Sequence, residues 1–226
     1  MPEDGPEKPA KINTAAFWKH IWGHPDTDYE LAKKAETLVP LFQRLNEQGK
    51  LGNVVIDFGS GSESVLNFLP RDDERRAITV DITGEFTSAE DALHVAYDLN
   101  KAPNRDDPSS RRALLQAAHF LDVDPKSEDV AHADTMIFVE ILNYLDYKPV
   151  LAELARFLKR GGRVIIMNQV DRGPHPAILH PGRPKSNDEI QLELESLGFQ
   201  IEIRSEAPPE PGREDKRMML LVAKKL

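Results

Sequence analysis

The residues best suited to chemistry stand at the ends of apolar runs. Asp57 follows Val54-Val55-Ile56 and leads through Phe58 into Gly59-Ser60-Gly61. Two glycines at that spacing let the backbone turn sharply and approach a ligand closely, and the first N–H groups of a following helix would point at it. The Asp57 carboxylate is placed to fix this turn and face a bound molecule. An acidic residue about 20 positions past such a loop is where ribose hydroxyls are held, because a carboxylate accepts both hydrogen bonds. Asp81 stands at that distance, closing Ala77-Ile78-Thr79-Val80, with Ile82 after it. Asp98 offers an acceptor for an exocyclic amine, and Leu99 an apolar surface for a ring face. Glu140, in Glu140-Ile141-Leu142-Asn143-Tyr144, puts an acid at the mouth of an apolar run and calls for an amine partner; Leu142 and Leu145 read as core. The chemistry implied is the binding of a nucleotide cofactor.

Elements that can position these residues alternate along the chain. Strands are expected at 53–58, 77–81, 94–97, 135–139 and 163–167, and helices at 62–69, 109–121, 147–158 and 187–197. Gly161-Gly162 reads as a helix-to-strand stop. Apolar strands separated by amphipathic helices make a parallel sheet covered on both faces. The segments 200–204 and 218–223 have only a Pro/Gly/charged loop between them, so they form an antiparallel pair. Ala102 to Ser110 is a polar, proline-bearing surface loop.

The N-terminal part divides into a tail at 1–11 and a helical segment at 12–50, ahead of the sheet domain at 51–226. Asn13 caps a short helix carrying Phe17, Trp18, Ile21 and Trp22 on one face, broken at Gly23-His24-Pro25. A longer helix starts near Asp26 or Thr27, with Leu31, Ala35, Leu38, Phe42 and Leu45 as its buried stripe and Pro40 as a bend or a second start. Trp18 and Trp22, with Phe17 and Tyr29, form either a lid over the site or an aromatic face docked on the sheet.

Composition narrows the partners. The 226 residues are 40% hydrophobic, with a formal net charge of -9 and no cysteine. Disulfides, thiolate catalysis and cysteine-ligated zinc are excluded. The acidic balance argues against a nucleic-acid backbone as partner. No apolar run approaches the roughly 18–20 residues needed to span a bilayer, and the charged tail has no signal-peptide core. A cytoplasmic protein handling a small molecule is expected.

These motifs together resemble the class I S-adenosylmethionine-dependent methyltransferases, over roughly 52–226. Ile56-Asp57-Phe58-Gly59-Ser60-Gly61 is similar to that family's first motif, and Val80-Asp81 to its ribose-binding acid. The run from His94 to Leu99 resembles its adenine-contacting strand end. Leu158-Lys159-Arg160-Gly161-Gly162-Arg163 resembles its entry to the fifth strand, and Leu197-Gly198-Phe199 its entry to the sixth. The resemblance implies a Rossmann-like α/β fold: a seven-stranded, mostly parallel sheet, helices on both faces and a C-terminal antiparallel strand pair. It implies S-adenosylmethionine as cofactor and methyl transfer; the acidic balance and the lack of an inserted substrate domain point to a small-molecule acceptor, through oxygen or nitrogen, with a protein or peptide acceptor as the alternative. Glu63 replaces the family's usual third glycine.

Methyl transfer of this kind needs alignment of nucleophile and methyl carbon more than any catalytic side chain. His175, in Gly173-Pro174-His175-Pro176, is the candidate general base, with His180, His20 and His24 as alternatives, although a loop histidine is more often inert. Trp18, Trp22, Tyr144 and His175 are the candidate substrate contacts. Two other readings stand beside this one: a cofactor-binding module without catalysis, and an NAD-dependent oxidoreductase. Glu63 opposes the latter, because a carboxylate there would repel a bound pyrophosphate.

Overall fold

The computed structural model describes residues 31–61, 63–83, 92–101, 131–170, 179–207 and 217–226, together with Ala15. Expectations placed on Asn13, Phe17, Trp18, His20, Ile21, Trp22, His24, Tyr29, the Leu31 side chain, the loop at 102–110, the helix at 109–121 and His175 lie outside what it describes.

Seven strands form one sheet: β1 (Val54–Phe58), β2 (Arg76–Asp81), β3 (Leu93–Ala96), β4 (Ala133–Val139), β5 (Leu158–Gln169), β6 (Phe199–Glu206) and β7 (Met218–Lys225). Their order is β3-β2-β1-β4-β5-β7-β6. β1 pairs in parallel with β2 and β4, β2 with β3, and β4 with β5. β7 runs antiparallel to both β5 and β6, which is the expected closing pair. The chain steps outward from β1 through β2 to β3, then returns to the other side of β1 as β4. Strand order therefore reverses between β1 and β4.

Alternate residues of the strands feed two cores. Ile56, Phe58, Val164 and Ile166 pack with Val150, Leu154, Ile190 and Leu194 of helices α2 (Tyr147–Leu154) and α3 (Asn187–Ser196). Leu142 and Leu145 join that core, as expected. On the opposite face, Val55, Ile137 and Ile165 pack with Leu38, Leu41, Phe42 and Leu45 of α1 (Leu31–Glu47). Across the middle of the sheet, the Phe58 and Phe138 rings stack 5.0 Å apart.

Three local expectations are corrected. The helix expected at 62–69 is a single 3-10 turn, Val65–Phe68. Side chains take the N–H groups that would start an α-helix: Ser64 Oγ donates to Asp57 at 2.6 Å, Val65 N–H donates to the same carboxylate, and Leu66 N–H donates to Ser64 Oγ. Val65 and Leu66 of this turn pack in the same core as α1.

Of the two readings of Pro40, a bend or a second start, the second start is corrected: Pro40 lies inside one continuous element. A proline in a helix interior costs about 3 kcal/mol. Burying Leu38, Leu41, Phe42 and Leu45, each at most 3% exposed, stabilises by roughly 1.5–3 kcal/mol per side chain. Burial outweighs the proline.

Gly161-Gly162 does not stop a helix. α2 ends at Leu154 and a 3-10 turn, Ala155–Phe157, follows. The Lys225 ammonium donates to the Ala155 and Leu158 carbonyls, both at 2.8 Å, and holds that end. The two glycines sit inside β5, in an irregular stretch between the pairs Ala133↔Leu158 and Thr135↔Arg163.

Candidate functional site

Open parallel sheets hold ligands beyond the carboxyl ends of their strands, where the strand order reverses. Here that place is the crevice beyond β1 and β4, and the glycine loop leaves β1 into it. Gly59 has φ 72° and Gly61 φ 61°, a region that strains other residues. Gly59 N–H donates to the Val80 carbonyl at 2.7 Å. A Cβ on Gly59 would meet Ile141 Cγ1 at 2.5 Å, so the loop lies hard against the residue after Glu140.

Asp81 anchors the other side of this loop. Gly61 N–H donates to its Oδ2 at 3.0 Å, and Thr83 donates to its Oδ1 through N–H and hydroxyl at 3.0 and 2.8 Å. A carboxylate has about four acceptor positions. Among the described residues, Gly61 and Thr83 take three of them. Ser60 is buried, and Ile82 is partly exposed beside Asp81.

Asp57 is 2% exposed, and burial pushes its carboxyl up from 3.8 to about 6, against the lowering effects of the Ser64 hydroxyl, the Val65 N–H and the Lys34 charge. It is the turn-fixing role that the structure displays. On the same sheet face the register runs Asp57↔Thr79↔His94. Thr79 Oγ1 lies 2.7 Å from His94 Nδ1, and burial lowers the imidazole's pKa and favours its neutral form.

Glu140 has φ 55°, an uncommon backbone conformation for a side-chain-bearing residue. Its N–H donates to the Met167 carbonyl at 2.8 Å, which fixes the turn leaving β4. Its carboxylate meets the Lys34 ammonium at 2.5 Å, with side-chain exposures of 19% and 5%. The amine partner read from Glu140 is thus, in the protein itself, a lysine from α1. Sequence reasoning missed Lys34. Its signal was position: Lys34 precedes Leu38 by four residues, on the buried stripe.

The remaining strand ends are stitched together. Asp98 accepts the Asn100 N–H at 3.1 Å and so starts the turn Leu99–Lys101, while Leu99 is buried in the core. Asn100 donates to the Tyr144 carbonyl and accepts from the Asp146 N–H. Asn143 donates to the Gln169 carbonyl at 2.7 Å and accepts from the His180 N–H at 2.9 Å. His180 is a turn former, its Nδ1 accepting from Gly182 N–H. Asp57, Asp81, Glu140 and Lys34 gather around the glycine loop; Tyr144 sits with the β3–β4 side, partly exposed.

No protein-family model and no curated protein matches the chain. Solved structures do match. An N-methyltransferase, NodS of Bradyrhizobium japonicum, in complex with S-adenosyl-L-homocysteine, is 12% identical with a TM-score of 0.59, over 94% of this chain and 98% of that one. The fold is that of the class I methyltransferases. The 1,6-didemethyltoxoflavin-N1-methyltransferase of Burkholderia thailandensis shares this fold at 17% identity and a TM-score of 0.54, over 100% and 94% of the two chains. So does the [4+2]-cyclase SpnF, at 14% and 0.54, over 83% and 80%. The likeness establishes architecture; one architecture hosts more than one chemistry.

Proposed function

We propose that the chain transfers a methyl group from S-adenosylmethionine to a small-molecule acceptor through an oxygen or nitrogen nucleophile. The observation that carries this reading is the charge pattern at the β1–β4 switch point. Asp57, Asp81 and Glu140 ring a glycine loop, with Lys34 among them. That set suits a ligand with a ribose, an ammonium, a carboxylate and a further positive charge, and S-adenosylmethionine has all four. Neighbours of the same fold support the reading: NodS and the toxoflavin-type enzyme hold S-adenosylhomocysteine, and magnesium protoporphyrin IX methyltransferase of Synechocystis holds S-adenosylmethionine.

In this reading Gly59, Ser60 and Gly61 receive the cofactor along the loop backbone, and the Asp81 acceptor position takes a ribose hydroxyl. Ile82 and Asp98 flank the adenine, whose exocyclic amine donates to the Asp98 carboxylate; Leu99 supports them from the core. Glu140 receives the ammonium. When bound, the cofactor supplies an activated methyl group on a sulfonium. The protein contributes alignment, exclusion of water and a fixed field of carboxylates. Trp18, Trp22, Tyr144 and His175 are the proposed acceptor contacts, with His175 as the base where the nucleophile is a hydroxyl. The segment at 12–50 then serves as both cap and site wall. The acidic, cysteine-free composition fits a cytoplasmic small-molecule enzyme better than one acting on nucleic acid.

A cofactor-binding role without methyl transfer is the second reading, favoured by the cyclase among the neighbours. An NAD-dependent oxidoreductase is disfavoured. The α-helix whose N-terminus would hold a pyrophosphate is replaced by the turn Val65–Phe68, with Glu63 exposed before it. Incubation with methyl-labelled S-adenosylmethionine and a panel of amines and phenols separates the readings. Label should move to an acceptor with the unaltered protein and not with Asp81→Ala. Tight cofactor binding with no label transfer across such a panel would favour the non-catalytic role.

A further inference from the structure

Ahead of α3, the stretch 179–186 folds over the exit from β4. His180 N–H donates to the Asn143 carbonyl at 2.9 Å, and a Cβ on Gly182 would collide with the Asp146 carboxylate. The stretch is therefore held against the chain between β4 and α2 at two points. Leu179 and Pro184 are buried on either side of it, and Pro181 and Pro184 each fix a backbone angle. It forms a pre-set shelf beside the crevice.

Arg183 closes a tight turn on this shelf. The His180 carbonyl accepts its N–H at 3.0 Å and its Nη1 at 3.3 Å, so the guanidinium folds back over the turn that rests on Asn143. The residue is part-buried, and its Nε is buried with no acceptor. Among the described residues, no carboxylate pairs with Arg183 and nothing accepts from Nη2. Lys34, by contrast, meets Glu140. Arginine is seldom buried unless paired, and a buried donor left without a partner costs about 1–3 kcal/mol.

The shape of the free edge defines its use. With Nη1 turned to His180, the edge left over carries Nε and Nη2. Their N–H groups run parallel, at the spacing of the two oxygens of one carboxylate. Location defines whose carboxylate it is. Gly61 and Asp81 mark one side of the crevice, at β1 and β2. The shelf stands on the other side, past the exit of β4 towards β5 and α3. That is the side left to an acceptor.

We propose that Arg183 binds a carboxylate on the methyl acceptor through its Nε–Nη2 edge, and so selects amines or phenols that also carry an acid group. This rests on the methyl-transfer reading above and names the acceptor class for it. Arg183 is a specificity residue, placed by the His180 turn; no bond changes at it.

The test uses two probes of similar shape, benzoate and the neutral benzamide, in NMR titrations of the full chain with S-adenosylhomocysteine present. Benzoate should bind, and benzamide should bind at least about tenfold more weakly. Arg183→Met removes the charge and should weaken benzoate by about 10–100-fold, the scale of a lost charged hydrogen bond. Arg183→Lys returns the charge without the edge and should recover only part of the loss. Benzamide and S-adenosylhomocysteine should bind the variants as they bind the unaltered chain, which also shows that the variants are folded. Benzoate binding no tighter than benzamide, or unchanged in Arg183→Met, would overturn the assignment. Equal weakening of all three ligands would overturn it too, because Arg183 would then serve the loop. Silence of S-adenosylhomocysteine on the unaltered chain would instead remove the cofactor reading, and the same benzoate titration without it then decides Arg183 separately.

Discussion

The Gly61 N–H donates to Asp81 Oδ2 at 3.0 Å, so the loop leaving β1 is fastened to the end of β2 before any ligand arrives. One carboxylate thereby sets the loop's shape and ties it to Thr83 at the end of β2.

Replacing Asp81 with Ala should therefore cost both stability and binding. Gly61 and Thr83 lose their acceptor, at about 1–3 kcal/mol for each buried group left unsatisfied. Thermal unfolding should show a lower midpoint, and S-adenosylhomocysteine affinity should drop by at least about tenfold, the equivalent of one hydrogen bond at ~1.4 kcal/mol. Asp81→Asn keeps one acceptor oxygen and should fall between. An unchanged midpoint in the Ala variant would show that the loop holds itself.

Asp57 makes stability depend on pH in a definite direction. Its carboxyl titrates near 6 in the folded protein against 3.8 as an ordinary value, chiefly through burial. A folded pKa above the unfolded one means that its contribution is fully present below about pH 4 and is lost as pH rises through about 6. Asp57→Asn cannot ionise. Relative to the unaltered protein it should gain stability between pH 4 and 6, by something on the order of 2–3 kcal/mol. Urea unfolding of both proteins across that range measures it. A pH-independent difference would contradict the buried, raised carboxyl.

Gly59→Ala should be severely destabilising for two reasons. Its φ of 72° strains an L side chain, and the new Cβ would lie within 2.5–2.8 Å of three Ile141 atoms. The backbone part alone is about 1–2 kcal/mol. Adding Ile141→Ala removes two of the three clashing atoms and should restore part of the loss. A double-mutant cycle by denaturant unfolding that shows no coupling would mean that the loop does not press on Ile141.

Arg163 and Glu202 form a fork at 2.8 and 3.0 Å that links β5 and β6 across β7. The Arg163 hydrogen bond holds the Glu202 carboxyl below its ordinary range, so this contribution is present near neutrality and lost as pH falls through the lowered value. Glu202 is partly solvated, so salt screens the pair. Arg163→Met should cost about 1 kcal/mol in urea unfolding and leave cofactor affinity unchanged. A change in affinity would mean that the closing pair reaches the site.

Most of the sheet was readable because its strands are short apolar runs between turn residues. The two ends that matter most, Phe58-Gly59 and Val80-Asp81, carry their own punctuation. The closing pair was legible from what it lacks: no helix-forming stretch stands between 206 and 217. The helix expected at 62–69 was not, because Ser64 looks like an ordinary polar residue until Asp57 is folded against it. Pro40 did not start a second helix, since local proline chemistry yields there to the packing of Leu38 and Phe42. Lys34 was hidden by its charge. On a helix stripe a lysine reads as solvated, and the contact with Glu140 that helps to explain its burial exists only in the folded chain. Asp57 was legible as a turn former, but not as a carboxyl with a raised pKa, because burial is a property of the packed α1 and not of the motif.

In the proposed function the crevice at the β1–β4 switch point holds an adenosyl amino acid. Calorimetric titration of the purified protein with S-adenosylmethionine, S-adenosylhomocysteine and NAD in parallel tests it most directly. The first two should bind with micromolar affinity and NAD should not bind. Binding of NAD, or silence from both adenosyl ligands on folded protein, would contradict it.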